Sequence, residues 1–252
     1  MMKRLYVFMF CAGGLAAAGD PVSRMVDDKL TIAQRNNACF ALRGDRSREV
    51  IAAMRGALAS DAVRACAARN LREAGAVEEL KGALSAPQPE VRAVAARELG
   101  ALERPDLIEL LAKAARDSSM LVATNAVMGL GEYHDRAVVP YLLELAQTSG
   151  PAAVAALSQA GRLDEPATLS AARKLLTGSD VAAKLMALMI VGDCGDASDL
   201  PRLREIAAKS VPLSSHGRGF GLLPSLNLAR AAQNAIQAIE KRQGSVPSPS
   251  VL

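Results

Sequence analysis

Residues able to do acid–base, metal or nucleophilic chemistry are few and scattered in this chain. Of its 252 residues two are histidines, His134 and His216. His134 stands in Glu132-Tyr133-His134-Asp135, which reads as a solvated turn; a metal site there needs ligands that the local sequence does not supply. The four cysteines, Cys11, Cys39, Cys66 and Cys194, form no CxxC pair and no Cys/His spacing that would hold zinc. No Gly-x-Ser-x-Gly, P-loop or dinucleotide fingerprint occurs. The expectation is no catalytic residue, no metal and no cofactor.

Charged residues offer binding instead. Arg64, Arg69, Arg72, Arg92 and Arg97 fall close together and could neutralise phosphates. Flipped or single-stranded bases, however, need aromatic platforms. Beyond residue 18 the aromatic residues are Phe40, Tyr133, Tyr141 and Phe220. Nucleic acid is therefore not the expected partner. These arginines are either a solvated face, partly offset by Glu73, Glu90 and Glu98, or a docking patch for an acidic protein or glycan. Arg64, Arg69, Arg92 and Arg97 are the candidates for contact with a partner.

A second candidate is the stretch from Lys209 to Ser225, rich in Gly, Ser and Pro, which cannot continue a helix. Phe220, Leu222 and Leu223 form an apolar cluster there, with His216 and Arg218 as polar flanks, the layout of an interface anchor with a rim. Two roles stay open: partner contact through His216, Arg218 and Phe220, or folding back to cap the last repeat.

The elements that must carry these residues follow from composition and period. Half of the chain is hydrophobic, 3% is aromatic and there is no Trp. Abundant Ala favours helices with close helix–helix contact and argues against a sheet fold. The net charge of +4 is too small to demand a polyanion. Met1-Met2-Lys3-Arg4, an apolar run from Leu5 to Ala18 and its Ala16-Ala17-Ala18 end predict a signal peptide cleaved before Gly19. Fourteen helical residues span only ~21 Å, short of a ~30 Å bilayer core, so a permanent anchor is disfavoured. Phe8-Met9-Phe10 before Cys11 lacks the small residues that lipidation needs. Cleavage leaves Cys39, Cys66 and Cys194, and an odd number permits at most one internal disulfide. A Cys39–Cys66 bridge is conceivable. Three buried thiols are the alternative.

A repeat organises the rest. Segments related to Val91-Arg92-Ala93-Val94-Ala95-Ala96-Arg97-Glu98-Leu99-Gly100 start at Val63, Val122, Ala152, Ala183 and Leu228. Four positions after each start stands Ala: Ala67, Ala95, Ala126, Ala156, Ala187 and Ala232. Eight after it stands Leu71, Leu99, Leu130, Ala160, Val191 or Ile236. This spacing makes one helical stripe whose small column lets a neighbouring helix approach closely. Gly100, Gly131, Gly161 and Gly192 follow as helix C-cap signals. A preceding helix is marked by Leu80 with Leu84, Leu111 with Ala115, Tyr141 with Leu145 and Ala172 with Leu176, and the turns between carry Ser, Asp, Gly and Pro. Short helices with one apolar face each must stack.

These units resemble HEAT-like repeats, of the shorter kind also seen in bilin lyases and bacterial scaffold proteins. The resemblance covers roughly Glu49 to Gln243. It implies that an acidic turn residue pairs with a basic residue early in the second helix, as Asp61 with Arg64, Glu90 with Arg92 and Asp180 with Lys184 would do. Ala123, Ala153 and Ala229 break that pattern. HEAT-like hydroxylases that hold two irons carry several His-Glu pairs, which are absent here.

The expected fold is all-α, a right-handed α-solenoid of stacked helix–turn–helix repeats. Its parts are a signal peptide over 1–18, an N-terminal helical cap over 19–48, six repeats over 49–243 and a flexible tail over 244–252. The expected function is an exported, periplasmic or secreted, non-catalytic scaffold or assembly factor that binds another protein. It takes no nucleic acid and has no stable membrane insertion once the signal is removed. The alternative is a bilin-lyase-like module that holds a tetrapyrrole, against which the signal peptide argues.

Overall fold

The computed structural model describes residues 19–148, 150–163, 165–209 and 228–244. The predicted signal peptide, nearly all of the 209–225 loop with His216, Arg218 and Phe220, and the predicted tail beyond Gly244 lie outside them, while Gly244 itself ends the last helix. Among the described residues there are fourteen α-helices, three short 3-10 turns and no strand. The chain is all-α and built from stacked helix pairs, as its Ala content and apolar spacing predict.

Contacts divide it into two compact units, Met1–Ala76 and Val77–Leu252. The first contains α1 (Pro21–Val26), α2 (Ile32–Ala41), α3 (Arg48–Ala57) and α4 (Arg64–Ala74). Thr31 and Gln34 form a capping box that starts α2. Gly75 ends α4 in the left-handed region at φ 74°, where a side chain would be strained. Cys39 on α2 and Cys66 on α4 are joined in a disulfide with Cα atoms 6.3 Å apart.

The second unit alternates first and second helices. The first helices are α5 (Val77–Ala83), α7 (Ile108–Ala114), α9 (Val139–Ala146), α11 (Glu165–Leu175) and α13 (Leu200–Lys209). The second helices are α6 (Pro89–Gly100), α8 (Met120–Gly131), α10 (Pro151–Leu163), α12 (Val181–Cys194) and α14 (Leu228–Gly244). Consecutive second helices touch in a row from α6 to α14. The predicted Ala column lies inside: Ala67, Ala95, Ala126, Ala156, Ala187 and Ala232 are all 0% exposed. Leu71, Leu99, Leu130, Ala160 and Val191 are equally buried. In α14 the stripe shifts, with Ala235 and Ile239 buried and Ile236 only partly so.

Two expectations are corrected. None of Gly100, Gly131, Gly161 and Gly192 adopts the left-handed cap conformation, and all four sit within their helices. Three of them allow close approach instead. A Cβ on Gly131 would stand 2.4 Å from the Gln159 Oε1, and one on Gly192 3.0 Å from the Ala235 Cα. Gly100 meets Gly129 more tightly still. Among the first helices, Tyr141 and Leu84 are half-exposed, and Leu142 fills the core position expected of Tyr141. A 3-10 turn at Arg136–Val138 starts α9, as Pro105–Leu107 and Ala197–Asp199 start α7 and α13.

Candidate functional site

The four candidate arginines fall into two kinds, set by their place in the repeat. Arg64 and Arg92 stand one position after the repeat start and are fastened into the turn that precedes their helix. In the first unit, Arg64 Nε donates to the Leu58 carbonyl at 2.8 Å, and its guanidinium also meets the Ala59 carbonyl and Asp61. In the second unit, Arg92 Nη1 donates to the Ala86 and Pro87 carbonyls at 2.9 and 3.0 Å. Arg92 Nε and Nη2 each donate to a carboxylate oxygen of Asp117 at 2.8 Å.

The expected partner Glu90 is thus replaced by Asp117, in the turn of the next repeat. A bidentate guanidinium–carboxylate pair satisfies both planar groups at once. Hydrogen bonding by Arg92 holds the Asp117 carboxyl below its ordinary range, with the Ser119 N–H contributing. Asp180 likewise serves a turn. Its carboxylate accepts from Ala183 N at 3.0 Å as a helix cap and from Gly150 N at 3.3 Å across the repeat boundary. Those backbone N–H groups, Ala183 first, hold its carboxyl low. Polar rungs between repeats exist, built from more groups than the resemblance implies.

Arg69 and Arg97 stand six positions after the start and are exposed. That column continues as Met128, Ser158, Met189 and Asn234, and every member is exposed. Two residues beyond the buried Ala column turn a helix by about 200°, so a fixed register that buries one column exposes the other. On α8 and α12 the outward face is strongly apolar: Met120, Leu121, Met128, Val181 and Met189 are all large and exposed. Helix α10 touches both α8 and α12 and presents Ser158 between them. Sequence reasoning named Arg97 of this column in the second unit and missed its methionines. The signal was the same repeat register, followed two residues further.

Across α5, α7 and α9 a groove of about 710 Å³ is lined by Leu84, Leu110, Lys113, Arg116, Tyr141 and Glu144 among others. Arg116 and Glu144 pair at 2.7 Å, so part of its charge is spent internally. His134 is exposed, with Nδ1 3.1 Å from the Glu103 carboxylate. Beside it Tyr133 is buried and donates its hydroxyl to the Arg104 carbonyl at 2.8 Å; burial, with Asp106 and Glu103 nearby, pushes its pKa up to about 12. Among the described residues no group of three or more His, Cys, Asp and Glu could hold a metal ion. No described helix is long and apolar enough to cross a membrane.

Residues 77–160 match the family model for HEAT repeats. The match runs from α5 into α10 and takes in one third of the chain. No curated protein matches the sequence. Among solved structures, human deoxyhypusine hydroxylase in complex with glycerol is similar at 17% identity, over 88% of this chain and 95% of that one, with a TM-score of 0.39. The CpcE–CpcF complex of phycocyanin lyase from Nostoc sp. is similar at 19% identity, over 94% and 100%, with a TM-score of 0.40. A designed armadillo repeat protein is similar at 18% identity, over 87% and 98%, with a TM-score of 0.38.

Proposed function

We propose that this protein is an exported, non-catalytic scaffold that binds another protein along the outward face of its second helices. The observation that carries the reading is the contrast within each second helix. One column is sealed at 0% exposure in all six repeats, while the column two residues on is exposed and varies from Arg through Met to Ser. Large exposed apolar groups gathered on α8 and α12 are unusual for a surface that meets only water. Methionine suits such a face because its flexible, polarisable side chain repacks against different surfaces. Arg97 belongs to the same column, whereas Arg64 and Arg92 have their guanidinium groups occupied within the fold.

Export is supported by the Lys3-Arg4 start, the apolar run to Ala18 and a buried disulfide, a bond that persists in oxidising compartments. N-terminal sequencing of the exported material is expected to begin at Gly19 or within a few residues; an intact cytosolic Met1 form as the main product removes the export reading.

Site-specific photocrosslinking tests the binding face. A crosslinker placed at residue 128 or 189 is expected to trap one defined protein that a crosslinker at residue 113, on the first helices, does not. Equal yields from both faces, or none from either, overturn the assignment. A bilin retained through purification, visible by its absorbance, would instead favour the tetrapyrrole-handling module.

A further inference from the structure

We propose that the Cys39–Cys66 bond is a redox latch: it holds α1 and α2 as a cap over α3 and α4, and its reduction releases that cap while the second unit stays folded. The inference concerns the fold of the first unit and does not depend on the binding face assigned above.

The hold of α1 and α2 by burial alone is thin. Together with the linker after α2 they bury Met25, Ala38, Cys39 and Leu42. Val22 and Leu30 are half-buried, and the remaining large apolar groups face outward, with Val26 54%, Ile32 66% and Phe40 50% exposed. The remaining ties are polar. Arg35 donates to the Ser60 hydroxyl at 2.9 Å and Asn36 to the Ala62 carbonyl at 2.7 Å. Asn70 donates to the Cys39 carbonyl at 2.8 Å, and Arg43 pairs with Glu73. Each such bond contributes little net stability, because water competes for the same groups when the cap is open. A covalent link across 27 residues removes much of the entropy that an open cap would gain.

The latch is also shielded. Cys39 is 0% and Cys66 5% exposed, so a reductant reaches the sulfurs only when α2 moves away. Against Cys39 lies Asn70, whose side-chain nitrogen also stands 3.8 Å from the Met54 sulfur; both residues are nearly fully buried, and release would open them to solvent. Among the described residues the second unit holds one cysteine, Cys194, and it forms no disulfide. Redox control is therefore confined to the first unit.

In the chemical step a thiolate of a dithiol reductant attacks one sulfur of the bond and expels the other as a thiolate. The second thiol of the reductant then closes its own disulfide and frees the first sulfur. Two electrons and two protons pass to the protein, which gains two thiols, while the reductant leaves as a cyclic disulfide.

Hydrogen exchange read by mass spectrometry tests this on the full chain. Wild-type protein is reduced in denaturant with dithiothreitol and refolded with the reductant present, and alkylation confirms the added thiols. A Cys39→Ala/Cys66→Ala variant is measured without reductant. In both, amide protection in α2 is expected to fall by roughly a hundredfold, while protection in α6, α8, α10 and α12 stays as in the oxidised protein. Trypsin is expected to cut after Arg35, within α2, only in the reduced form. Unchanged protection in α2 overturns the proposal, since the cap would then hold without its bond. Joint loss of protection in α2 and in the second unit overturns it too, since the bond would then support the whole chain.

Discussion

Gly100 and Gly129 bring α6 and α8 together backbone to backbone: a methyl group on Gly100 would stand 2.2 Å from the Gly129 Cα and 2.7 Å from its carbonyl oxygen. No side-chain rotation relieves such a contact, so the helices would have to separate. Gly100→Ala is expected to destabilise the second unit by about 1–3 kcal/mol or more, the usual cost of overpacking. Gly129→Ala is expected to cost less, because its Cβ would meet the Ala96 carbonyl oxygen at 3.0 Å and the Gly100 Cα at 3.1 Å. Urea denaturation of both variants checks the order. A Gly100→Ala protein as stable as wild type would show that the two helices are not in this contact.

The repeat register makes opposite forecasts for residues two positions apart. Ala126 is 0% exposed and Met128 is 45% exposed on the same helix. Ala126→Leu is expected to cost about 1–3 kcal/mol by overpacking, and its damage to show as a broadened transition because repeats couple mainly to their neighbours. Met128→Glu is expected to stay within about 0.5 kcal/mol of wild type while losing crosslinking at the outward face. Thermal melts of the two variants, compared side by side, check both. A stable Ala126→Leu together with a destabilised Met128→Glu would invert the assignment of faces.

What the sequence made legible, and what it hid, divides along a physical line. A helix face needs only a 3.6-residue period to be recognised, so the Ala column and its partner column eight residues from each start were readable from spacing alone. Gly100 and Gly192 were read as caps because a glycine near a helix end serves either a left-handed turn or a close approach, and the two look alike without the neighbouring helix. Gly75, outside the predicted glycine column, does adopt the left-handed turn. Arg92 was matched to Glu90 because sequence favours near neighbours, whereas stacking brings Asp117 to it from the next turn. The same stacking joins Gly150 to Asp180. A search for turn carboxylates one repeat away would have found both. The methionines of α8 and α12 carry no local signal of exposure, and only a register counted across all repeats places them outside.

Asp117 supplies the pH test. Its side chain is 18% exposed, and its carboxyl is held below the ordinary value near 3.8, chiefly by the Arg92 hydrogen bonds and then by the Ser119 N–H. A carboxyl whose pKa is lower in the folded state than in the unfolded chain binds fewer protons when folded. Its contribution is therefore complete above the unfolded value and is lost as pH falls through that value toward the folded one. Stability of the second unit is expected to decline below about pH 4, with Asp180 adding to the same slope through its bonds to Ala183 and Gly150. Asp117→Asn removes the charge while keeping the shape. It is expected to cost about 1–2 kcal/mol at pH 7 and to flatten the acid slope, so that variant and wild type converge near pH 2. Denaturation midpoints measured from pH 7 to pH 2 check this. Parallel curves for the two proteins would mean that the Arg92–Asp117 rung contributes nothing through its charge.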